Sequence, residues 1–327
     1  MAPSADADVE EEGTGRRYLV TGVLGAIGAW TAKALVDRGC AVIGLDVGSS
    51  RHRLDVAFDG DEPHDLTLVE GDIADLDALE RLISSQGVTN VIHLAAMQVP
   101  FVRERPALGA LVNVVGTANI LEAARRAGLA TPVVYASSIA VFGPTGDGEP
   151  QTLYGIYKRT NEATAVRFFE DYGVSSVGLR PHTVYGPGRD QGLTSAPTVA
   201  MLAAAAGLPY EIPFGGRAQF QYLPDVAEAF VRGSELGHRG ASVHTLDGPS
   251  AAIDEVVGLI ERASGVDPGT ITSQGEPLPF PGEIDGASFV ELIGGSVNRS
   301  LADGIADSIE RFRRLLRHGL VSPPTAN

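Results

Sequence analysis

Short, uninterrupted apolar runs recur along the first half of the chain, each followed by a segment of helical length. The runs are YLV (18–20), CAVIGLD (40–46), LTLVEGD (66–72), NVIHLAA (90–96), PVVYASS (132–138) and VSSVGLR (174–180). A strand wet on one face alternates apolar and polar positions, whereas continuous runs fit a parallel sheet covered on both faces. In the first intervening segment Ile27, Trp30, Thr31, Ala34 and Leu35 recur at i, i+3, i+4, i+7 and i+8, the spacing of an amphipathic helix. The pattern predicts an α/β fold of Rossmann type, a doubly wound parallel sheet.

After Pro181 the texture changes. Pro and Gly crowd into HTVYGPGRDQG, YEIPFGG and EPLPFPGEIDG, which reads as loops and short elements of a smaller α+β lobe. DVAEAFVRGSEL (225–236) is helical again and is placed to return onto the first domain. A last helix carries Leu301, Ile305, Ile309, Phe312 and Leu316 on one stripe. The expected organisation is an acidic disordered tail over 1–15 and a dinucleotide-binding domain over 16–180. Residues 222–255 pack back onto that domain, and 181–221 with 256–327 form the substrate lobe.

Composition narrows the class. The 327 residues are 44% hydrophobic and 20% charged, which suits an ordinary globular core. A formal net charge of −16 argues against a nucleic-acid partner gripped through a basic surface. The single cysteine, Cys40, allows no internal disulfide, so a reducing, cytoplasmic setting is the expectation. The first residues, MAPSADADVEEEGTG, lack the basic and apolar regions of a signal peptide. No run of about eighteen apolar residues is evident, so no membrane span is expected.

The first strand leads straight into TGVLGAIG (21–28) and then the amphipathic helix. Gly22 permits a tight turn, Gly25 lets backbone approach a pyrophosphate, and Gly28 lets helix and strand pack closely. The helix start, with Ala26 and Ile27, offers N–H groups and a positive dipole end to phosphates. Asp46 closes the second strand, where a carboxylate accepts from both ribose hydroxyls and repels a 2′-phosphate. NAD is therefore the expected cofactor, with Arg51 and Arg53 nearby as possible softeners of that preference over NADP.

The segment TLYGIYKRTNE (152–162) holds two tyrosines ahead of one lysine. On a helix Tyr154 and Lys158 share a face, while Tyr157 points about 100° away from Lys158. An ammonium beside a phenol stabilises the phenolate, so tuned Tyr154 can take a proton from an alcohol as hydride leaves its carbon. Tyr154 is the expected catalyst. His93, inside an apolar strand, reads as a satisfied core histidine. The seven histidines show no H-x-x-x-H spacing, so no metal site is expected.

In order along the chain stand TGVLGAIG, Asp46, GDI (71–73), HLAA (93–96), YASS (135–138), YGIYK (154–158) and RPHTVYGPG (180–188). Together they resemble the extended short-chain dehydrogenase/reductase family, its NAD-dependent epimerase/dehydratase group, over about residues 17–235. The resemblance implies that Asp72 and Ile73 flank the adenine and that Leu94, Ala95 and Ala96 line the path to the nicotinamide ribose. It implies Lys158 on that ribose as well, and Ser138, rather than Ser137, as the hydroxyl that positions the reacting oxygen. Asn113 is implied to support the site from a central helix, and a homodimer is the implied assembly.

Two positions depart from the pattern. Thr183 stands where relatives carry a phosphate-holding Asn, and Ala218-Gln219-Phe220 replaces Arg-Asp-aromatic, with Arg217 one residue early. Dehydratases of the group carry an Asp–Glu pair where this chain has Ser138-Ile139-Ala140, which disfavours that style of water loss. Met97, Gln98, Ser138, His182, Thr183, Arg189 and Arg217 are candidates for contact with a carbohydrate-type substrate. The implied activity is NAD-dependent epimerisation or oxidation at a hydroxyl-bearing carbon of a sugar or sugar nucleotide. Alternatives are a dehydrogenase of a free sugar, sugar acid or polyol, and an NAD-binding sensor without turnover.

Overall fold

A computed structural model describes residues 15–146 and 148–324; the expected tail lies, but for Gly15, outside the described residues. The chain begins β1 (Arg17–Thr21), α1 (Ala26–Val36), β2 (Ala41–Asp46), α2 (His52–Ala57), β3 (Leu66–Glu70), α3 (Leu76–Gln86) and β4 (Asn90–His93). It continues through α4 (Val99–Glu104), α5 (Pro106–Ala110), a π turn (Leu111–Val115), α6 (Gly116–Arg126) and β5 (Val133–Ala136). A 3₁₀ turn (Ile139–Val141) precedes α7 (Leu153–Tyr172), β6 (Ser176–Arg180), β7 (Thr183–Tyr185), α8 (Ala196–Ala205), β8 (Tyr210–Ile212) and β9 (Arg217–Tyr222). Then come α9 (Leu223–Glu235), β10 (Ala241–Thr245), β11 (Ser250–Ala252), α10 (Ile253–Ser264), β12 (Ile271–Ser273), α11 (Ala287–Ile293) and α12 (Leu301–Arg317).

Seven strands form the main sheet in the order β10-β6-β5-β4-β1-β2-β3, every neighbouring pair parallel. The winding reverses between β1 and β4, which opens a crevice at their carboxyl ends. Trp30, Leu35 and Phe230 of α1 and α9 cover Val134, Val177 and Leu179 on one face. Ile83, Ile120, Leu121 and Ala165 of α3, α6 and α7 cover Leu19, Ile43 and Tyr135 on the other. A separate cluster, including Tyr185, Met201, Phe220, Ile260, Ile305 and Phe312, forms the lobe core, with β11, β9 and β7 as its small sheet.

Four sequence expectations need correcting. The seventh strand, β10, was not anticipated, because ASVHT is only half buried at the sheet edge and carries Ser242 and His244 among its apolar residues. In α12 the buried residue of the last turn is Leu315 and not Leu316, since 3.6-residue periodicity drifts against a strict four-residue spacing. The π turn joins α5 and α6 into one 21-residue helix, Pro106–Arg126, long and apolar enough by length and composition to cross a membrane. Much of that apolar character is accounted for within the fold, where Ile120, Leu121, Ala123 and Ala124 are buried against the sheet. Around α1, Gly28, Ala29, Trp30, Thr31, Ala32 and Leu35 are all buried, so this helix is wedged between sheet and α9 rather than wet along one side.

Candidate active site

The crevice floor is set by glycine. Gly22 has φ +71°, and a Cβ there would lie 2.6 Å from the backbone nitrogen of Ala95. A Cβ on Gly28 would stand 2.1 Å from the Gly22 carbonyl oxygen. Larger residues at either position would force the turn away from β4 or from α1. The helix is capped by Gly25 without any side-chain acceptor, so the first-turn N–H groups beside Ala26 and Ile27 are left to a ligand. Asp46 is oriented by the N–H groups of Leu24 and Gly48, both at 3.0 Å. This cradle and carboxylate fit a dinucleotide's pyrophosphate and ribose.

Of the neighbouring arginines, Arg51 is paired with Glu62 at 2.8 Å and Arg53 with Asp190 at 2.7 Å. Asp72 is exposed and accepts from the Ala74 N–H, whereas Ile73 is buried and packs where a Cβ on Gly116 would meet it at 2.5 Å. Leu94, Ala95 and Ala96 are half-buried along the loop after β4, where the Thr21 hydroxyl accepts from the N–H groups of Leu94 and Ala95.

His93 is a core residue in this structure. Its ring lies between the hydroxyls of Thr21 at 2.7 Å and Thr117 at 3.1 Å, and burial pushes it down to about 3, so it is neutral. Asn113 sits in the π turn, buried, and brackets Met97 by accepting from its N–H at 2.7 Å and donating to its carbonyl at 3.0 Å. Asn161 of α7 donates to the Asn113 carbonyl at 2.8 Å. The loop carrying Met97 and Gln98 is therefore braced from two helices.

Thr152 and Gly155 set where α7 begins and hence where Tyr154 stands. Thr152 caps α7 by accepting from the Gly155 N–H at 3.0 Å. A Cβ on Gly155 would lie 2.1 Å from the Ala140 carbonyl oxygen, so only glycine lets the helix start press against the 3₁₀ turn. Ser138 caps that turn, accepting from the Ala140 N–H at 3.1 Å, and its hydroxyl is the first neighbour that favours ionisation of the Tyr154 phenol. Lys158 is buried; its Nζ donates to the Ala136 carbonyl at 2.6 Å and lies 5.6 Å from the Tyr154 ring centroid.

Electrostatics here differ from expectation. Desolvation raises the Tyr154 phenol above its ordinary value; the Ser138 hydrogen bond opposes this first and the Arg189 charge second. Lys158 is not what lowers it. Burial instead brings Lys158 itself down to about 8, against the upward pull of Glu162. Glu162 accepts from Nε and Nη2 of Arg180, at 2.7 and 2.6 Å, and from the Ser137 hydroxyl at 2.5 Å. Ser137 thus donates into the Glu162–Arg180 ion pair. Tyr157 donates to the Pro106 carbonyl at 3.1 Å and packs beside Gly109.

The remaining candidates divide. Arg189 is half-buried, donates to the Gln191 carbonyl and the Thr194 hydroxyl, and acts electrostatically on Tyr154. Gln98 lies opposite, its Oε1 beside Gly192. His182 is turned toward the 277–286 segment, with its Nε2 on the Pro281 carbonyl and its Nδ1 on the Thr183 hydroxyl. Arg217 is exposed at the start of β9, donates to the Ser250 carbonyl at 3.2 Å and stands 3.9 Å from Glu255, while Ala218 faces the lobe core. Nothing among its contacts ties Arg217 to the Tyr154 cluster. Among the described residues no cluster of metal-ligating side chains occurs.

Comparison with known proteins agrees with this geometry. Residues 18–244 match the NAD dependent epimerase/dehydratase family. UDP-glucuronate 4-epimerase 2 of Arabidopsis thaliana is 34% identical over 186 residues, 53% of this chain, but the chain spans only 43% of that relative's length. UDP-glucose 4-epimerase of Mycolicibacterium smegmatis is 30% identical over 319 residues, covering 91% of this chain and 98% of the relative. The solved UDP-glucose 4-epimerase of Thermus thermophilus in complex with NAD superposes with a TM-score of 0.76 at 26% identity, covering 91% of this chain and 99% of that one. The chain belongs to the NAD-dependent epimerase/dehydratase family of extended short-chain dehydrogenases/reductases.

Proposed function

We propose that the chain is an NAD-dependent sugar-nucleotide epimerase of the 4-epimerase type, with Tyr154 as its acid and base. The carrying observation is the Ser138 side chain acting on the Tyr154 phenol in a chain whose Gly22 turn packs against the Ala95 backbone. Asp46 holds the ribose hydroxyls and the first turn of α1 holds the pyrophosphate. Bound NAD supplies a hydride acceptor and, on return, a hydride donor. Tyr154 takes the proton from the substrate hydroxyl and gives it back. Ser138 donates to the reacting oxygen as charge builds there, and Lys158, anchored on Ala136, keeps a positive charge beneath the phenol. The sugar-nucleotide class rests on the named relatives.

Thr183 and the core-facing Ala218 favour one second reading, oxidation of a sugar or sugar acid without a diphosphate. Incubation with NAD and UDP-glucose or UDP-glucuronate, followed by NMR of the product, separates the two. Appearance of the 4-epimer without net NADH supports the epimerase. NADH accumulation only with unactivated sugars supports the dehydrogenase.

A homodimer through α6 and α7 is part of the proposal. Leu111 and Val115 of the π turn leading into α6, and Leu153 and Ile156 of α7, are 42%, 43%, 45% and 46% exposed, an apolar surface that a second copy would cover. Sedimentation of the wild type and of Ile156→Glu tests it: a dimer that becomes a monomer is expected, and a monomeric wild type contradicts it.

A further inference from the structure

Two side chains of the cofactor half reach the loop that carries Arg189. Trp30 on α1 donates its indole N–H to the Pro187 carbonyl at 2.8 Å. Arg53 on α2 donates to one Asp190 carboxylate oxygen twice, from Nε at 3.0 Å and Nη2 at 2.7 Å. Its third nitrogen, Nη1, lies 3.3 Å from the carbonyl of Leu24. Leu24 sits inside the Gly-rich turn, and its N–H is bonded to Asp46. One guanidinium therefore touches both the turn that holds a cofactor and the loop that faces Tyr154.

The loop needs such a hold. Gly186, Gly188 and Gly192 all have positive φ, at +123°, +97° and +83°, and glycine backbones adopt other conformations at little steric cost. Among the described residues, Arg189 itself is bonded within the loop, to the carbonyl of Gln191 and the hydroxyl of Thr194. Most exposed ion pairs contribute little. Arg53 differs in that its side chain is 20% exposed, against 42% for Asp190, and the pair links segments 137 residues apart, unlike Lys33–Asp37 or Arg232–Glu228.

We propose that Arg53 and Asp190 form a clasp between the cofactor turn and the 186–195 loop. A nucleotide seated at Asp46 and the turn then leaves more slowly while the clasp is closed, and Arg189 stays bonded within its loop. Both are positioning residues; neither touches a reacting atom. Retention of a cofactor through many cycles is what an epimerase needs, so the inference rests on the function proposed above. Because seating of the loop and binding of nucleotide are linked, each strengthens the other by the same factor.

The test uses full-length protein loaded with NADH, chased with excess NAD, and followed by loss of NADH fluorescence. Trp30 is the sole tryptophan, so its emission reports the seat of Pro187 without any turnover. Asp190→Asn and Arg53→Gln are each expected to speed NADH release about three- to tenfold and to shift Trp30 emission to the red. The exchanged pair, Arg53→Asp with Asp190→Arg, is expected to recover most of both changes at an unchanged melting temperature. Release rates and emission equal to wild type in both single variants would overturn the clasp, as would an exchanged pair no better than the singles. Failure of the wild type to bind NADH would instead strike the proposed function. The clasp is then judged on Trp30 emission alone, where an unshifted Asp190→Asn overturns it.

Discussion

The ammonium of Lys158 is fixed to the carbonyl of Ala136 at 2.6 Å and lies over the Tyr154 ring, 5.6 Å from its centroid. Tyr154 thus has two polar neighbours, the Ser138 hydroxyl that favours its ionised form and the buried Lys158 amine.

Replacing Tyr154 with Phe removes the proton carrier and leaves the ring in place. Turnover is expected to fall about 10²- to 10⁴-fold, while NAD affinity measured by calorimetry changes by less than about threefold. Equal losses in both would mean that Tyr154 serves binding.

The two adjacent serines separate chemistry from architecture. Ser138→Ala is expected to cut kcat by about 10²-fold with little change in melting temperature. Ser137→Ala withdraws a donor from the Glu162–Arg180 pair and is expected to cost about 1–3 kcal/mol of stability, with a kcat change of less than about threefold. Steady-state kinetics and thermal melts on the two variants check the assignment.

Gly155→Ala places a methyl 2.1 Å from the Ala140 carbonyl oxygen. Overpacking of this kind costs about 1–3 kcal/mol, and the relief available is to move the start of α7 away from Ser138. A loss of activity larger than that of Ser137→Ala is expected; a fully active, equally stable variant would contradict the contact.

Lys158 gives a pH signature with a definite sign. Folded, it titrates near 8; unfolded, near its ordinary 10.5. Between these values the unfolded chain holds the extra proton, so stability of the folded state rises with pH across the window. Melting temperatures of wild type relative to Lys158→Met should therefore climb from pH 8 to pH 10. Tyr135, Tyr185 and Tyr222, all raised by burial, act in the opposite sense only near and above 10 and are common to both proteins.

The parallel sheet, the Gly-rich turn and the Tyr154–Lys158 pair were legible because each depends on local spacing: continuous apolar runs, glycines at fixed offsets, one helical turn between side chains. What escaped depends on contacts distant in sequence. β10 is an edge strand whose partner β6 supplies the order that its own composition lacks. Gly155 looks like a poor helix residue until Ala140 is seen against it. The buried Glu162–Arg180 pair and the Asn161–Asn113 bond join residues 18 and 48 positions apart, and no periodicity announces either. The phenol was read as lowered by Lys158 because spacing shows proximity but not desolvation, which here dominates.

The central claim is that the cradle formed by Gly22, Gly28 and Asp46 holds NAD for the chemistry at Tyr154. Freshly purified protein can be denatured and removed, and the nucleotide released into solution quantified by absorbance and mass. The account predicts NAD or NADH at close to one per chain, or, in protein stripped during purification, the same amount taken up on incubation with NAD. Protein that releases no nucleotide and takes up none when NAD is supplied would contradict it.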